Sequence, residues 1–283
     1  MNNKLPVFIT LGCVALGTLV NAHSGFVLFG ESAEASNPEH KVVRPLTAPY
    51  FHEDSFITTD LRAWYAQHDF GSDSIGGDLA TAALQVRVAL TESLQFVAYK
   101  GGYSNFDNAA VVGGADGMND VGLGIKWAFW QDGIRQLHAA VGVGYEFGLG
   151  DDEVLQDTNE LRVWASVNKG FDRLHLGSTI NYIVAEDNSK GLVGNSDLIT
   201  AHFHADYYVN QWFSPVLELN GYFVQDDGSG ATSFSGVDVV SLAGGADEDV
   251  LTGAVGLEIR PVECALGLRV AYETQLTDNV SLF

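Results

Sequence analysis

The sequence predicts an all-β fold, an up-and-down antiparallel transmembrane β-barrel, and three observations carry that expectation. Eleven stretches alternate apolar and polar residues with a period of two, which sends successive side chains to opposite faces of a strand. Most of them run ten to fourteen residues. That is longer than the ~5–6 of a globular strand and near the ~9–11 that cross a bilayer on a tilt. The links between them alternate short with long and acidic.

The chain opens on a segment with the pattern of a secretion signal, residues 1–22. Lys4 supplies the positive start, Pro6 to Val20 is apolar, and Val20-Asn21-Ala22 offers a cleavage site. Cys13 is a poor lipoprotein cysteine, because the apolar run continues past it. Without the signal, Cys264 is the one remaining cysteine, and no intrachain disulfide is possible. Residues 23–53 hold no sustained period and contain Pro38, Pro45 and Pro49; they are expected to form an irregular periplasmic leader, outside the barrel or tucked into its mouth.

Strands are expected at about 55–69, 79–91, 94–104, 119–130, 136–148, 159–169, 173–185, 198–209, 213–225, 250–260 and 264–275. The fourth shows the pattern best. Val121, Leu123, Ile125, Trp127 and Phe129 share one face, and Gly122, Gly124, Lys126 and Ala128 share the other. A lysine among glycines suits a crowded, wet interior better than a dry core. The same apolar alternation runs through Leu84, Val86, Val88 and Leu90, through Leu161, Val163, Ala165 and Val167, and through Leu266, Leu268, Val270 and Tyr272.

Links near Glu92, Gln131–Arg135, Gly170–Asp172, Asn210–Trp212 and Pro261–Glu263 are tight, whereas 70–78, 105–118, 149–158, 186–197 and 226–249 are longer. Outer-membrane barrels pair short periplasmic turns with long extracellular loops, so the first strand should run outward. Such barrels carry an even number of strands. Eleven are read here, and 12 are expected, the closing one beyond Phe283. The barrel is accordingly bounded at 54–283.

Aromatic residues gather at both expected interfaces, Tyr65, Tyr103, Tyr145, Phe147, Tyr182, Phe223 and Tyr272 at one and Trp127, Phe129, Tyr207 and Trp212 at the other. In a soluble sheet the same residues would be core. The face opposite the apolar one carries Asp60, Arg62, Arg87, Lys100, Lys126, Glu146, Glu160, Arg162, Asp206, Glu218, Glu258, Arg260, Arg269 and Glu273, the expected pore lining. A lumen that mixes signs can pair its charges internally, and 12 strands leave room for a narrow water column.

His202 and His204, two apart with Asp206 close by, are weak candidates for a metal site; network membership is the plainer reading. Ser166 and Ser178 are the serines weighed for a lipid-hydrolysing role, and parity sets neither beside a lipid-facing histidine. The loops are acidic at Asp151, Asp152, Glu153 and Asp157 and again at Asp226, Asp227, Asp238, Asp247, Glu248 and Asp249, with Lys190 nearly alone as a base. A net charge of −22 argues against nucleic acid as a partner.

Signal, alternating strands, girdles and unequal links together resemble the small outer-membrane β-barrels of Gram-negative envelopes, in particular a porin-like or transporter-like group of about 12 strands. The resemblance covers residues 54–276 and is one of architecture. It implies a place in the bacterial outer membrane among lipid and lipopolysaccharide, and passage of a small-molecule solute through a charged lumen. With no nucleophile and base in reach of one another in the sequence pattern, no enzyme activity and no cofactor are expected. The alternative from the same residues is a non-conducting structural or adhesion barrel sealed by its own salt bridges.

Overall fold

The computed structural model describes residues 7–11, 28–29, 42–69, 77–107, 113–156, 159–186, 196–210, 212–226, 249–260 and 267–277. They build one antiparallel sheet of fourteen strands. In chain order these are β1 (Val7–Leu11), β2 (Asp60–Asp69), β3 (Asp78–Ala89), β4 (Leu94–Lys100), β5 (Tyr103–Asp107), β6 (Ala115–Met118) and β7 (Val121–Asp132). The chain continues through β8 (Leu137–Phe147), β9 (Glu160–Phe171), β10 (Leu174–Ala185), β11 (Asp197–Tyr207), β12 (Ser214–Asp226), β13 (Val250–Ile259) and β14 (Leu268–Gln275). Among the described residues the only helical piece is a single 3₁₀ turn, Asp152–Val154.

Two pairs of strands are single staves interrupted once. β4 pairs with the second half of β3, and β5 with its first half, so 94–107 runs as one stave bent at Gly101 and Gly102. Gly102 has φ +140°, and a Cβ there would sit 2.6 Å from the Ala82 carbonyl oxygen, so the bend needs glycine. β6 and β7 form the next stave and pair with β5 and β4 respectively. The eleven staves then follow the eleven alternating stretches. The first starts later than the alternation suggests, at Asp60 instead of 55, because residues 55–59 are engaged elsewhere.

From β7 onward each stave pairs with its successor, β7 with β8 and so on to β13 with β14. By themselves these staves make an open sheet with edges at β2 and β14. The seam is spanned by the five residues of β1, antiparallel to both edges, with Phe8 opposite Ala271 and Ala66, and Leu11 opposite Leu268 and Ala63. Residues 7–11, part of the stretch expected to be a secretion signal, thus pair with both edges, whose backbone donors and acceptors would otherwise stay unsatisfied in lipid. The remainder of residues 12–22, and the segment after 277 toward the expected closing strand, lie outside the described residues.

Exposure along every stave follows the period of two. Leu84, Val143, Ile180, Leu217 and Val255 are about half exposed on the outer face, while Arg87, Lys126, Thr179, Glu218 and Ala254 are buried on the inner one. Trp127, Phe129, Trp130, Phe171, Tyr207 and Trp212 are exposed near the short-turn end, and Tyr65, Tyr103, Phe147 and Tyr182 near the long-loop end. From Ala139, opposite Trp130, to Phe147 the strand rises about 27 Å, or about 21 Å along the barrel axis at a ~40° tilt. An apolar band of that height suits the hydrocarbon of an outer membrane, ~25 Å.

Candidate functional site

The space inside the staves is filled by the chain itself. Sixteen consecutive residues, 42–57, are buried, though none of them belongs to a strand. They enter beside the first residue of β2, at the short-turn end, climb to a turn at Ala48–His52 and descend again. The turn is closed by the Phe51 and His52 amides, which donate to the Ala48 carbonyl at 3.0 and 2.9 Å. At the foot of the ascending limb, Arg260 donates to the Val42 carbonyl at 3.1 Å. The part of the 23–53 leader that is described therefore lies deep within the barrel and not beyond its rim; residues 23–27 and 30–41 lie outside the described set.

The segment can be buried because the inner face satisfies its polar groups, as buried amides and carbonyls require. Glu218 accepts from the Leu46 amide at 2.8 Å and the Thr47 amide at 2.7 Å. Arg162 donates to the carbonyl of Phe51 at 2.9 Å, and also to that of Tyr50. Thr179 donates to the Glu53 carbonyl at 2.6 Å, and Asn168 accepts from both the amide and hydroxyl of Ser55 at 2.8 Å. Gln85 donates to the Pro49 carbonyl at 2.7 Å. A proline there suits the segment, since its missing N–H leaves no donor to satisfy.

Charge makes the strongest attachment. Glu53 takes Arg87 in a fork, Nε to Oε1 at 2.9 Å and Nη2 to Oε2 at 2.6 Å, and Lys126 Nζ to Oε1 at 2.9 Å. Lys126 also donates to the Asp54 carbonyl at 2.9 Å, and Asp54 is ion-paired with Arg44 of the same segment. Burial raises the Glu53 carboxyl, but Arg87 and Lys126 outweigh it and hold it at about 2. Against the same burial, Arg44, Lys126 and Arg87 hold Asp54 well below the ordinary carboxylate range. Burial lowers His52 well below its ordinary 6.5, and the neighbouring His202 and His204 add to the effect.

Arg162 sits between two inward rings, its guanidinium carbon 4.8 Å from the Tyr99 centroid and 4.6 Å from that of Trp164. Those rings fit only because the facing strands carry glycine. A Cβ on Gly142 would lie 2.1 Å from Trp164, and one on Gly122 2.4 Å from Tyr99. The glycines of β7 and β8 thus make room for the shelf that holds the apex of the inserted segment. Gly142→Ala is expected to destabilise the folded barrel by about 1–3 kcal/mol through overpacking. Urea unfolding of liposome-refolded protein checks this, and an unchanged midpoint would contradict it.

The expected lining residues divide by sector. Arg62, Arg87, Lys100, Lys126 and Arg162 are buried on the inner faces of β2 to β9, along with Glu146 and Glu160; Lys100 pairs with Glu146 at 2.5 Å. Asp206, Glu218, Glu258 and Glu273 are buried on β11 to β14 with one arginine, Arg269, bonded to Glu258 at 2.6 Å. Asp60 and Arg260 sit at the short-turn rim and are less buried. Some charges thus pair within the wall, while Glu53 and Asp54 of the inserted segment complete Arg87 and Lys126. Sequence parity sets Trp164 inward with Arg162, but from Lys100 it sets Tyr99 outward; a register shift between Ala98 and Lys100 turns both Tyr99 and Lys100 inward. Parity gives no sign of Glu53, Thr47 or Ser55 as partners of the wall.

The histidines form a bonded chain. His202 meets Asn220 and Thr200 at 2.9 Å each, and His204 lies between Glu218 at 2.6 Å and Asp206 at 3.2 Å, with His175 on the other oxygen of Asp206. Both ring nitrogens of His202 and of His204 are thus occupied, and the described residues hold no group of three or more His, Cys, Asp or Glu side chains placed to hold a metal ion. Instead, His202 stacks on His52 at 5.3 Å. Ser166 Oγ has no partner, and Ser178 Oγ donates to the His202 carbonyl at 3.0 Å, so neither meets a histidine ring. Of the loop residues, the acids Asp157, Asp227, Asp238, Asp247 and Glu248 and the base Lys190 fall outside the described set.

No family model matches the chain, and no curated protein does. Among solved structures it is similar to the crystal structure of an outer membrane channel from Pseudomonas putida F1. The likeness covers 96% of this chain and 94% of that one, with a TM-score of 0.47 and 10% identity. It is a distant one.

Proposed function

We propose that the protein is a channel or transporter of the bacterial outer membrane that passes small solutes through a charged lumen, and that residues 42–57 hold it closed. The observation that carries this reading is the relation between wall and filling. An apolar, aromatic-bordered outer face encloses inward charges whose partners are, in part, a segment outside the sheet. A barrel meant only to be solid needs no separable stopper, since small barrels fill with their own side chains. A second reading, a non-conducting structural barrel, is favoured by the burial of all sixteen residues of the segment. Planar-bilayer recording and liposome swelling separate the two. The channel reading expects current and solute uptake that increase when the segment is weakened; a barrel that stays silent in wild-type and weakened forms rejects it.

Acid is expected to open the barrel. Each of His52, Glu53 and Asp54 binds a proton more readily when the segment is withdrawn than when it is docked. Docking stability is therefore greatest above the free values and falls with pH. The loss begins near 6.5 through His52 and continues through Glu53 from its ordinary 4.5 toward about 2. Mean current at about pH 4 should exceed that at about pH 7, with a foldedness check by gel mobility at each pH. A current flat across that window contradicts the expectation.

A further inference from the structure

Arg87 and Lys126 are both almost wholly buried, their side chains 3% and 0% exposed. Among the described residues the carboxylates that reach Lys126 are Glu53 and Asp54, both from the inserted segment. Among the described residues of the wall, Asp60 is the one carboxylate that reaches Arg87, at 3.6 Å. When the segment leaves, two cations on staves that flank β4, Arg87 on β3 and Lys126 on β7, face the lumen with Asp60 as the counter-charge beside Arg87. What they hold in the closed state is a carboxylate, gripped by a guanidinium fork and an ammonium, the arrangement by which proteins recognise free carboxylates.

We infer that Arg87 and Lys126 form a carboxylate-binding subsite for a solute, and that Glu53 occupies it as a tethered stand-in. The inference rests on the channel reading for its access route and deepens it by naming the ligand class, an organic acid. The opposite sector suits the rest of such a molecule. Glu218 and Glu273 accept from Thr47 and Asn220 there, and one oxygen of Glu273 has no partner, so hydroxyl or ammonium groups on the solute find acceptors. The chain's net charge of −22 repels anions from a distance. Ionic screening at physiological salt confines that repulsion to about 8 Å, while the forked pairing acts at contact.

The test uses the full chain with Glu53→Gln, which empties the subsite of its charge, and reads succinate binding by calorimetry in detergent beside succinate block of the potassium chloride current. Succinamide and putrescine serve as the neutral and cationic comparisons. Succinate should bind the Glu53→Gln protein at least tenfold more tightly than wild type and than either comparison compound. Adding Lys126→Met should weaken it at least tenfold, with Arg87→Gln read the same way if the first variant does not fold. No succinate heat in folded Glu53→Gln protein, or equal affinity for succinamide, or indifference to both second-site changes, overturns the subsite. Succinate binding without any current upholds the subsite and removes the channel reading; current with no succinate affinity does the reverse.

Discussion

Glu53→Gln is expected to raise the fraction of time that a reconstituted barrel conducts by roughly a hundredfold or more. The side chain keeps its shape and one acceptor oxygen, so the change is chiefly the loss of a negative charge. In the docked state that charge neutralises Arg87 and Lys126 at hydrogen-bonding distance. Removing one member of a buried ion pair costs about 3–5 kcal/mol, because the remaining charge stays buried without compensation. Only the docked state suffers this; once the segment withdraws, water reaches both cations. The whole penalty therefore falls on one side of a two-state equilibrium, and each 1.4 kcal/mol moves it about tenfold. Asp132→Asn is the control, since Asp132 pairs with Arg135 on an exposed turn and touches no part of the inserted segment. It should leave the current unchanged. Single-channel recording reads both, and equal open fractions for wild type and Glu53→Gln would sink the gating argument while leaving the fold untouched.

The strands were legible because lipid outside and charge inside impose one rule on every residue of a stave. Val121 to Phe129 reads its faces directly, and Lys126 lies inward because the apolar alternation leaves it no other place. What fills the lumen was not legible for a physical reason. Residues 42–57 have no period, as they follow no sheet or helix and take their conformation from the wall around them. Several of their hydrogen bonds span more than a hundred positions, as from Thr47 to Glu218 and Ser55 to Asn168. Pattern within a window carries no trace of such contacts. A partial signal existed in the wall: on the inner faces of β2 to β9 the five bases Arg62, Arg87, Lys100, Lys126 and Arg162 outnumber Glu146, Glu160 and the rim residue Asp60, and buried cations need partners from somewhere. The turn Pro49-Tyr50-Phe51 also read as loop, correctly, but nothing in it says that the loop is inside. Glycine on the inner faces of β7 and β8 was readable as crowding, and the crowding turned out to be Tyr99 and Trp164.

If the segment is a stopper, fastening it should silence every opening treatment at once. Ser55 and Asn168 supply the fastening point, because the Ser55 amide and hydroxyl both lie 2.8 Å from the Asn168 side-chain oxygen. Backbones joined by so short a side chain approach closely, and a disulfide asks for Cα atoms ~5.5–6 Å apart. The pair Ser55→Cys and Asn168→Cys, with Cys13 and Cys264 replaced by serine, should oxidise in the folded barrel. Oxidised protein is then expected to conduct nothing at neutral or acid pH, and to stay silent even with Glu53→Gln present. The reason is that a covalent link converts withdrawal from an equilibrium between two docked and undocked states into one that needs a bond broken. The reduced form has lost the Asn168 hydrogen bonds, each of ~1 kcal/mol, and so should conduct somewhat more than wild type. Addition of dithiothreitol to a silent bilayer should therefore bring current back in the same membrane. A disulfide verified by mass with conduction unaltered would mean that solute does not travel where residues 42–57 lie, and the route would have to be sought between the outer loops and the seam at β1.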